Sequence, residues 1–283
     1  MWFFDALASG FRHPTDPGAV QWFRILFGAV LTARFALAFG QGGWDRLAPG
    51  SLSLHLAAQR YGPARARLLA TVYRPALVLR TIAAAALAAG LAPRLALLVV
   101  LAGAAMELLY LRSPNAVRYT LLTGACLLVA GNLGHGFNIE HTPSTANTWA
   151  RCLLVLMTTN IYWNSAWQKL HSDQFRTGLY LAQWIHAYAQ VKDQLPRGQH
   201  AVPAPVCRHL GNLTERDVQL WRLAAAAVIA AELALPAVLL IPAAVPYAVA
   251  GGITMHAAFS LLKPRQLITF SGLTTGTYVA FVL

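Results

Sequence analysis

The chain has 283 residues, of which 57% are hydrophobic and 11% are charged, with a mean hydropathy of +0.50 and a formal net charge of +12. A soluble domain carries about 25% charged residues, so this composition excludes an ordinary soluble globular protein. Lysine and arginine are concentrated between the apolar runs, where membrane topology needs them. Anionic lipid explains the basic balance. We therefore expect an integral membrane protein that contacts the lipid bilayer and binds no nucleic acid.

Eight apolar runs approach the length of a bilayer-spanning helix, which needs about 20 residues. They predict an all-α fold, a polytopic integral membrane helical bundle of about eight transmembrane helices plus an interfacial helix. We expect a single transmembrane domain over 1–283 with an interfacial N-terminal segment at 1–19. The predicted spans are 20–39, 75–91, 94–111, 119–134, 148–168, 221–241, 244–262 and 266–282.

The polar connection 169–220 is expected to contain an amphipathic helix that lies at the membrane interface or re-enters the protein. The apolar face of that helix comprises Leu179, Leu181, Trp184, Ile185 and Tyr188.

A second helix start is predicted at the end of this connection, with Thr214 as N-cap and Asp217 three residues later.

The odd-numbered connections between the predicted spans carry Lys and Arg, whereas the fourth and sixth carry none. The positive-inside rule therefore predicts that the face bearing Lys169 is cytoplasmic.

Five ionisable side chains lie within the apolar runs: Arg24, Arg34, Glu107, Glu232 and His256. An ionisable group at membrane depth costs a few kcal/mol and usually faces a protein interior or a wet cavity. Two interpretations stay open for them. In the first, Arg34 forms a buried ion pair with Glu107 or with Glu232, and His256 makes a hydrogen bond between helices. In the second, the residues belong to a functional site. Pro236 follows Glu232 closely and favours a distorted helix near a site.

Lys169 ends an apolar run in the segment "YWNSAWQKLHSDQFRTG". Asn160, Asn164 and Gln168 precede it at i, i+4 and i+8, and this polar stripe is predicted to point into a bundle. Lysines at helix ends commonly extend to the lipid headgroups, which favours a membrane anchor. An amine withdrawn from water loses its proton more easily and can serve as a base. The residues alone leave both roles open.

The same segment resembles the Lys-Leu segment of vitamin K-dependent γ-glutamyl carboxylase and of its bacterial relatives, the horizontally transferred transmembrane domain family. The opening "WFRILFGAVLTARF" is similar to the family's first helix. "AELALP" and "MHAAFSLLKPRQLITFSGLTTGTYV" resemble its later helices. The resemblance spans nearly the whole chain and implies a bacterial inner-membrane protein.

The resemblance implies a specific chemistry. Lys169 would deprotonate a reduced vitamin K or menaquinone-type hydroquinone, whose reaction with O₂ gives a strong base that drives carboxylation by CO₂. No metal is expected. The residues implied to line the hydroquinone pocket are Asn160, Tyr162, Trp163, Asn164, Trp167, Glu232 and His256.

The chain also departs from the carboxylase pattern. The family's Asn-Asn-His stretch corresponds to "SPNAVRYT", in which Asn115 and Arg118 are the nearest substrate-side candidates. Arg34 and His186 are weaker ones. The large substrate-recognition domain of the animal enzyme has no counterpart before Leu283, so we expect quinol oxygenation to be retained more readily than carboxylation of a peptide or protein substrate.

Two other functions remain possible on the sequence. The first is a non-catalytic accessory or immunity-type membrane protein for a secreted peptide, in which Lys169 is an interfacial anchor. The second is a small-molecule transporter, which broken helices and buried charges also suggest. A catalytic Lys169 predicts a cavity that reaches it from the lipid, with Asn160, Asn164 and His256 in the lining. The anchor predicts that Lys169 is exposed at the headgroup level with no pocket behind it.

Overall fold

The computed structural model describes residues 10–40, 47, 49–111, 115–194, 202–262 and 264–283. Within these ranges the chain is helical, and the only β-structure is one isolated antiparallel bridge between Thr15 and Ser144. The predicted all-α class is thus confirmed for these residues. The α-helices are α1 (Gly18–Gly40), α2 (Leu52–Tyr61), α3 (Pro63–Ala88), α4 (Pro93–Leu111), α5 (Asn115–Val129), α6 (Thr145–Leu170), α7 (Asp173–Arg176), α8 (Leu179–Val191), α9 (Ala204–Leu210), α10 (Glu215–Leu239), α11 (Val245–Leu262), α12 (Pro264–Gly276) and α13 (Val279–Val282).

Four of the described helical stretches are long and apolar enough to cross a membrane. They are α1, α3, α10 and Pro242–Leu262, which joins a 3₁₀ turn to α11. Ala116–Val129 and Leu267–Val282 are shorter apolar stretches. Helices overlap all eight predicted ranges, although the last, 266–282, is divided between α12 and α13. A membrane protein is supported, and the number of eight crossings stays a prediction.

The first polar connection, 40–74, lies between the predicted spans 20–39 and 75–91. It contains α2 and the beginning of α3, which starts at Pro63 rather than at residue 75. Gly62 separates the two helices with a φ of 86°, a conformation that glycine adopts without strain. Proline suits the first position of a helix because its missing N–H has no partner there.

A helix is observed at the predicted place as α8, and its position relative to the membrane stays a prediction. Leu181, Ile185 and Tyr188 of the predicted face are buried, and Trp184 packs against the same cluster. Leu179, at the first position of the helix, is exposed. Spacing at i, i+4 and i+7 thus gives α8 a single apolar face.

This face packs against Cys207 of α9, and burial raises the pKa of both the Cys207 thiol and the Tyr188 phenol. The predicted helix start after α9 is confirmed as well. Thr214 precedes α10, and its hydroxyl accepts a hydrogen bond from the backbone N–H of Asp217 at 3.2 Å.

The chain divides into two compact units. The first contains the described residues of Met1–Leu154 with Gly272–Leu283, and the second is Val155–Ser271. Each unit encloses its own cluster of buried charges.

In the first unit, Glu107 of α4 lies between two arginines from different helices. Its carboxylate oxygens accept hydrogen bonds from Arg80 of α3 at 2.7 Å and from Arg34 of α1 at 3.2 Å. The Arg80 guanidinium also lies over the Phe35 ring, 4.5 Å from its centroid. A Cβ at Gly103 would overlap the Arg80 side chain, so a glycine is required where α4 passes it. The predicted pairing of Arg34 with Glu107 is confirmed, and Arg80 was not among the predicted residues.

Arg24 is also in the first unit and is fully buried. It donates hydrogen bonds to the carbonyl oxygens of Leu87 at 3.2 Å and Gly136 at 2.7 Å. Leu87 lies in the last turn of α3, where unpaired carbonyls carry partial negative charge. Arg24 therefore cross-links a helix end to the loop that follows α5.

That loop is organised by Glu140. Its carboxylate accepts hydrogen bonds from the Asn132 amide at 2.5 Å and from the His135 backbone N–H at 3.2 Å. These bonds favour the ionised carboxylate and lower the pKa of Glu140, with Asn132 as the main cause. The Glu140 backbone N–H in turn donates to Gln21 of α1 at 2.9 Å.

We expect Glu107→Gln to destabilise the protein strongly. The substitution leaves two arginines without their counter-charge, and breaking a buried ion pair costs about 3–5 kcal/mol. Thermal or denaturant unfolding in detergent, followed by circular dichroism, measures the loss. Glu215→Gln, at an exposed position in the first turn of α10, is the matched control. Equal stability of the two variants would contradict the structural role assigned to Glu107.

A second prediction concerns pH. Because the folded state lowers the pKa of Glu140, its contribution to stability is complete above the ordinary glutamate pKa of about 4.3. The contribution is lost as the pH falls through the lower value in the folded state. Glu140→Gln should therefore show a weaker loss of unfolding temperature over this acid range than the unsubstituted protein. Parallel curves for the two proteins would rule out this contribution.

Candidate active site

The second unit contains a lysine–glutamate pair between two helices. Lys169, in the last turn of α6, places its Nζ 2.5 Å from Oε1 of Glu232 on α10. The exposed fraction of the side chain is 21% for Lys169 and 4% for Glu232. Ser165 joins both groups, since its hydroxyl accepts from Lys169 at 2.8 Å and lies 3.1 Å from the same Glu232 oxygen. The pair is therefore largely withdrawn from solvent.

The local sequence explains how these groups meet. Tyr162, Ser165 and Lys169 are spaced at i, i+3 and i+7, so they share one face of α6. Glu232 lies four residues before Pro236, which has no N–H to donate to the Glu232 carbonyl. Trp163 makes a further contact between α6 and α10 beside the pair, because its indole N–H donates to the Leu233 carbonyl of α10 at 3.2 Å.

A second hydrogen-bonded chain passes through His256 of α11. Its Nε2 lies 2.7 Å from the Tyr162 hydroxyl, and its Nδ1 lies 3.2 Å from the Ser271 hydroxyl of α12. Both hydroxyls can donate or accept, so a neutral imidazole satisfies both bonds in either tautomer. His256 is 2% exposed. The same face of α6 thus contributes to the ion pair and to this neutral chain.

Aromatic rings lie beside both the ion pair of Lys169 and the hydrogen bonds of His256. The Nζ atom of Lys169 lies 5.5 Å from the centroid of the Phe175 ring and 5.6 Å from that of Phe259. Phe259 also meets His256 edge to face, at 5.8 Å between ring centroids, and Phe270 lies at the same distance from His256. Ring faces attract a cation, so the ammonium of Lys169 has an apolar but favourable environment.

The prediction that the polar stripe of α6 points into the bundle is wrong. Asn160, Asn164 and Gln168 are exposed, and the Gln168 amide bonds Asn164 at 3.3 Å. The buried face of the helix is the one that carries Tyr162 and Lys169, on the other side of its axis. Opposite-charge pairing with Glu232 holds this face inward, whereas a neutral amide gains no such partner.

The implied pocket residues therefore divide into two groups. Tyr162, Glu232 and His256 lie in the same cluster as Lys169. Trp163 and Trp167 lie on the exposed side of α6 with Asn160 and Asn164. Their proposed role in holding a hydroquinone stays a prediction.

The substrate-side candidates lie elsewhere. Arg34 is held by Glu107 in the first unit, and Arg118 is exposed on α5. α5 begins at Asn115, whose side chain lies outside the described part of the structure. His186 of α8 engages the Gly211 carbonyl at 2.7 Å and the Gln190 amide at 2.8 Å.

Several residues of the cluster were not predicted as site residues: Ser165, Phe175, Phe259, Phe270 and Ser271. Helical spacing was the available signal for two of them, since Ser165 lies four residues before Lys169 and Phe259 lies three after His256. No signal in the chain pointed to the other three, which reach the cluster from two further helices, Phe175 from α7 and both Phe270 and Ser271 from α12.

The pair is chemically suited to exchange protons. A carboxylate and an amine at hydrogen-bond distance can exist as an ion pair or, after one proton moves, as two neutral groups. Burial narrows the energy difference between these forms because charge is costly away from water. Among the described residues, the second carboxylate oxygen of Glu232, Oε2, is buried and has no hydrogen-bond partner. It is an open acceptor beside the pair.

The membrane-anchor interpretation expects Lys169 to be exposed at the headgroups. Its low exposure and its bonds to Glu232 and Ser165 do not fit that expectation.

Among the described residues, no group of three or more His, Cys, Asp or Glu is arranged to hold a metal ion. No protein family, curated protein or solved structure was found to match this chain. The carboxylase-like resemblance therefore stays a prediction.

We expect Lys169 and Glu232 to be energetically coupled. Lys169→Met or Glu232→Met alone leaves an unpaired buried charge and should cost about 3–5 kcal/mol. The double variant replaces the pair with two apolar groups of similar length and should recover most of that loss. Unfolding of the four proteins in detergent gives the coupling energy. If the losses of unfolding free energy in the two single variants simply add in the double variant, the pair does not form. This is the result that a solvated membrane anchor predicts.

Proposed function

We propose that this protein is a membrane-embedded enzyme that removes a proton from a reduced, lipid-soluble quinone, with Lys169 as the base. The observation that carries the proposal is the buried pair of Lys169 with Glu232, bridged by Ser165. Pairs of titratable groups held away from water are typical of proton-transfer sites. An anchor needs neither the partner nor the burial.

The surroundings fit a hydroquinone. Phe175 and Phe259 present aromatic rings beside the amine, and apolar walls with a few convergent polar groups are typical of small-molecule sites. The hydroxyl of Tyr162 and the imidazole of His256 add neutral polar groups that can orient a ring oxygen. A bound hydroquinone supplies an acidic O–H and the electrons for a reaction with O₂.

In this function each residue has a distinct part. Ser165 forms hydrogen bonds with both Lys169 and Glu232 and keeps the amine close to the carboxylate, so that a proton can pass between them. Once its own proton has passed to Glu232, the neutral amine of Lys169 receives the phenolic proton, and the ammonium that forms lies beside the negative charge of the phenolate. Exclusion of water by the aromatic rings strengthens that attraction. By resemblance, O₂ is the next reactant, and CO₂ with a peptide substrate belongs to a later step.

Quinone turnover on purified protein in lipid nanodiscs tests the proposal. Reduced menaquinone or vitamin K is supplied with O₂, and quinone and epoxide are followed over time. Loss of a positioned general base should slow turnover by about 10²–10⁴-fold in Lys169→Met. The Lys169→Met/Glu232→Met double variant, expected to be stable, should be equally impaired.

Gln168→Ala is the matched control, because this exposed neighbour lies outside the cluster, and it should retain full turnover. Equal rates in the control and in Lys169→Met, above the rate of lipid alone, would overturn the role of Lys169. Absence of turnover in the unsubstituted protein with either quinone would overturn the function itself.

A further inference from the structure

We infer that Glu232 is the final proton acceptor of this site and that Lys169 ends the step as an ammonium counter-ion. The inference rests on the proposed function and assigns the place where the substrate's proton is stored. It also predicts the kind of substrate that the site accepts.

Before the reaction the pair consists of one ammonium and one carboxylate, so its net charge is zero. If the amine first gives its proton to Glu232 and then takes the phenolic proton, the products are an ammonium, a neutral carboxylic acid and a phenolate. If Glu232 takes the phenolic proton directly, the products are the same three species. The proton therefore ends on Glu232 by either route.

Electrostatics favours this end state over the alternative in which the proton leaves for bulk water. Release to water would leave a carboxylate and a phenolate together beside a single ammonium, with a net charge of −1. Glu232 is 4% exposed on its side chain, and an uncompensated charge away from water is strongly unfavourable. Retention of the proton keeps the cluster neutral throughout the step.

The hydrogen bonds of Glu232 leave a place for that proton. Oε1 is engaged by Lys169 and Ser165. Oε2 is buried and has no hydrogen-bond partner among the described residues. Unpartnered buried polar atoms are rare in folded proteins. An O–H formed at Oε2 would become a donor in that position.

The other buried titratable group near Lys169 is a poorer acceptor. Both ring nitrogens of His256 are already engaged, by Tyr162 and by Ser271. A proton added to His256 would also place a second positive charge near Lys169, and these two groups repel one another when both are charged. Glu232 has neither disadvantage, because protonation removes a charge there.

The substrate class follows from the same count. A neutral pair accepts a neutral weak acid without changing the net charge of the cluster. A substrate that arrives as a carboxylate or phosphate would bring an uncompensated negative charge beside Glu232. The site therefore fits a phenolic O–H acid, such as a hydroquinone, and discriminates against anions.

The test uses 2-methyl-4-nitro-1-naphthol as a probe. This compound keeps the fused ring of a reduced naphthoquinone, but a nitro group replaces its second hydroxyl, so it cannot be oxidised to a quinone. Its anion is coloured. Binding to the protein in nanodiscs is measured at a pH at which the free probe is protonated. Absorption reports ionisation of the bound probe, and calorimetry in buffers of different ionisation enthalpy counts protons released.

For the unsubstituted protein we expect the bound probe to be ionised with no proton released to the medium. An infrared difference spectrum should show a new protonated carboxyl group. In Glu232→Gln the acceptor is missing, so ionised binding should release one proton per probe without the carboxyl signal. Glu215→Gln, on the same helix but exposed, should behave like the unsubstituted protein. A purely structural role for Glu232 would not change the proton count.

The outcomes separate the inference from the function. Release of one proton by the unsubstituted protein, or ionisation without a carboxyl signal, overturns Glu232 as the acceptor while the phenol site stands. Failure to bind the probe, or binding only as the neutral phenol, overturns the proposed function and the inference with it. The measurements on the unsubstituted protein decide the matter even if Glu232→Gln does not fold.

Discussion

Each charge that lies between apolar helices of this protein must find its partner within the protein, because lipid offers none. The two units meet this requirement separately, with Glu107 held by Arg34 and Arg80 in one and Glu232 held by Lys169 in the other. Glu107 joins α4 to α1 and to the neighbouring α3, and Glu232 joins α10 to α6. These pairs determine which face of each helix is buried, and the positions of the remaining polar groups depend on that choice.

The two clusters differ in the cation, and this difference separates structure from chemistry. A guanidinium does not lose its proton in a protein, so the charges of Arg34 and Arg80 are permanent. Their cluster can hold helices together but cannot carry a proton. An amine does lose its proton when its surroundings favour the neutral form. Lys169 and Glu232 thus form the buried pair in which a proton can change place, which is why the candidate site lies in the second unit.

The sequence predicted the helices well because apolar runs and capping residues are local signals. Thr214 is an example, since its partner Asp217 is three residues away. It predicted less about pairing, because Glu107 and Glu232 were equally plausible partners for Arg34 until the helices were positioned. Asn164 was misassigned for a related reason. A polar stripe resembles an inward face in one helix taken alone, yet the distant partner of Lys169 decides which face turns inward.

The hydrogen bonds of the second cluster also limit its chemistry. Tyr162, His256 and Ser271 satisfy one another, and Ser165 satisfies the shared side of the ion pair. In the described cluster this leaves Oε2 of Glu232 as the open acceptor. A site of this kind can take one proton from a neutral acid and hold it beside the resulting anion, so that the net charge of the site and the substrate together stays zero. Sites that remove a second proton need a second open acceptor, so one-proton chemistry on a neutral acid is the reaction class that the arrangement favours.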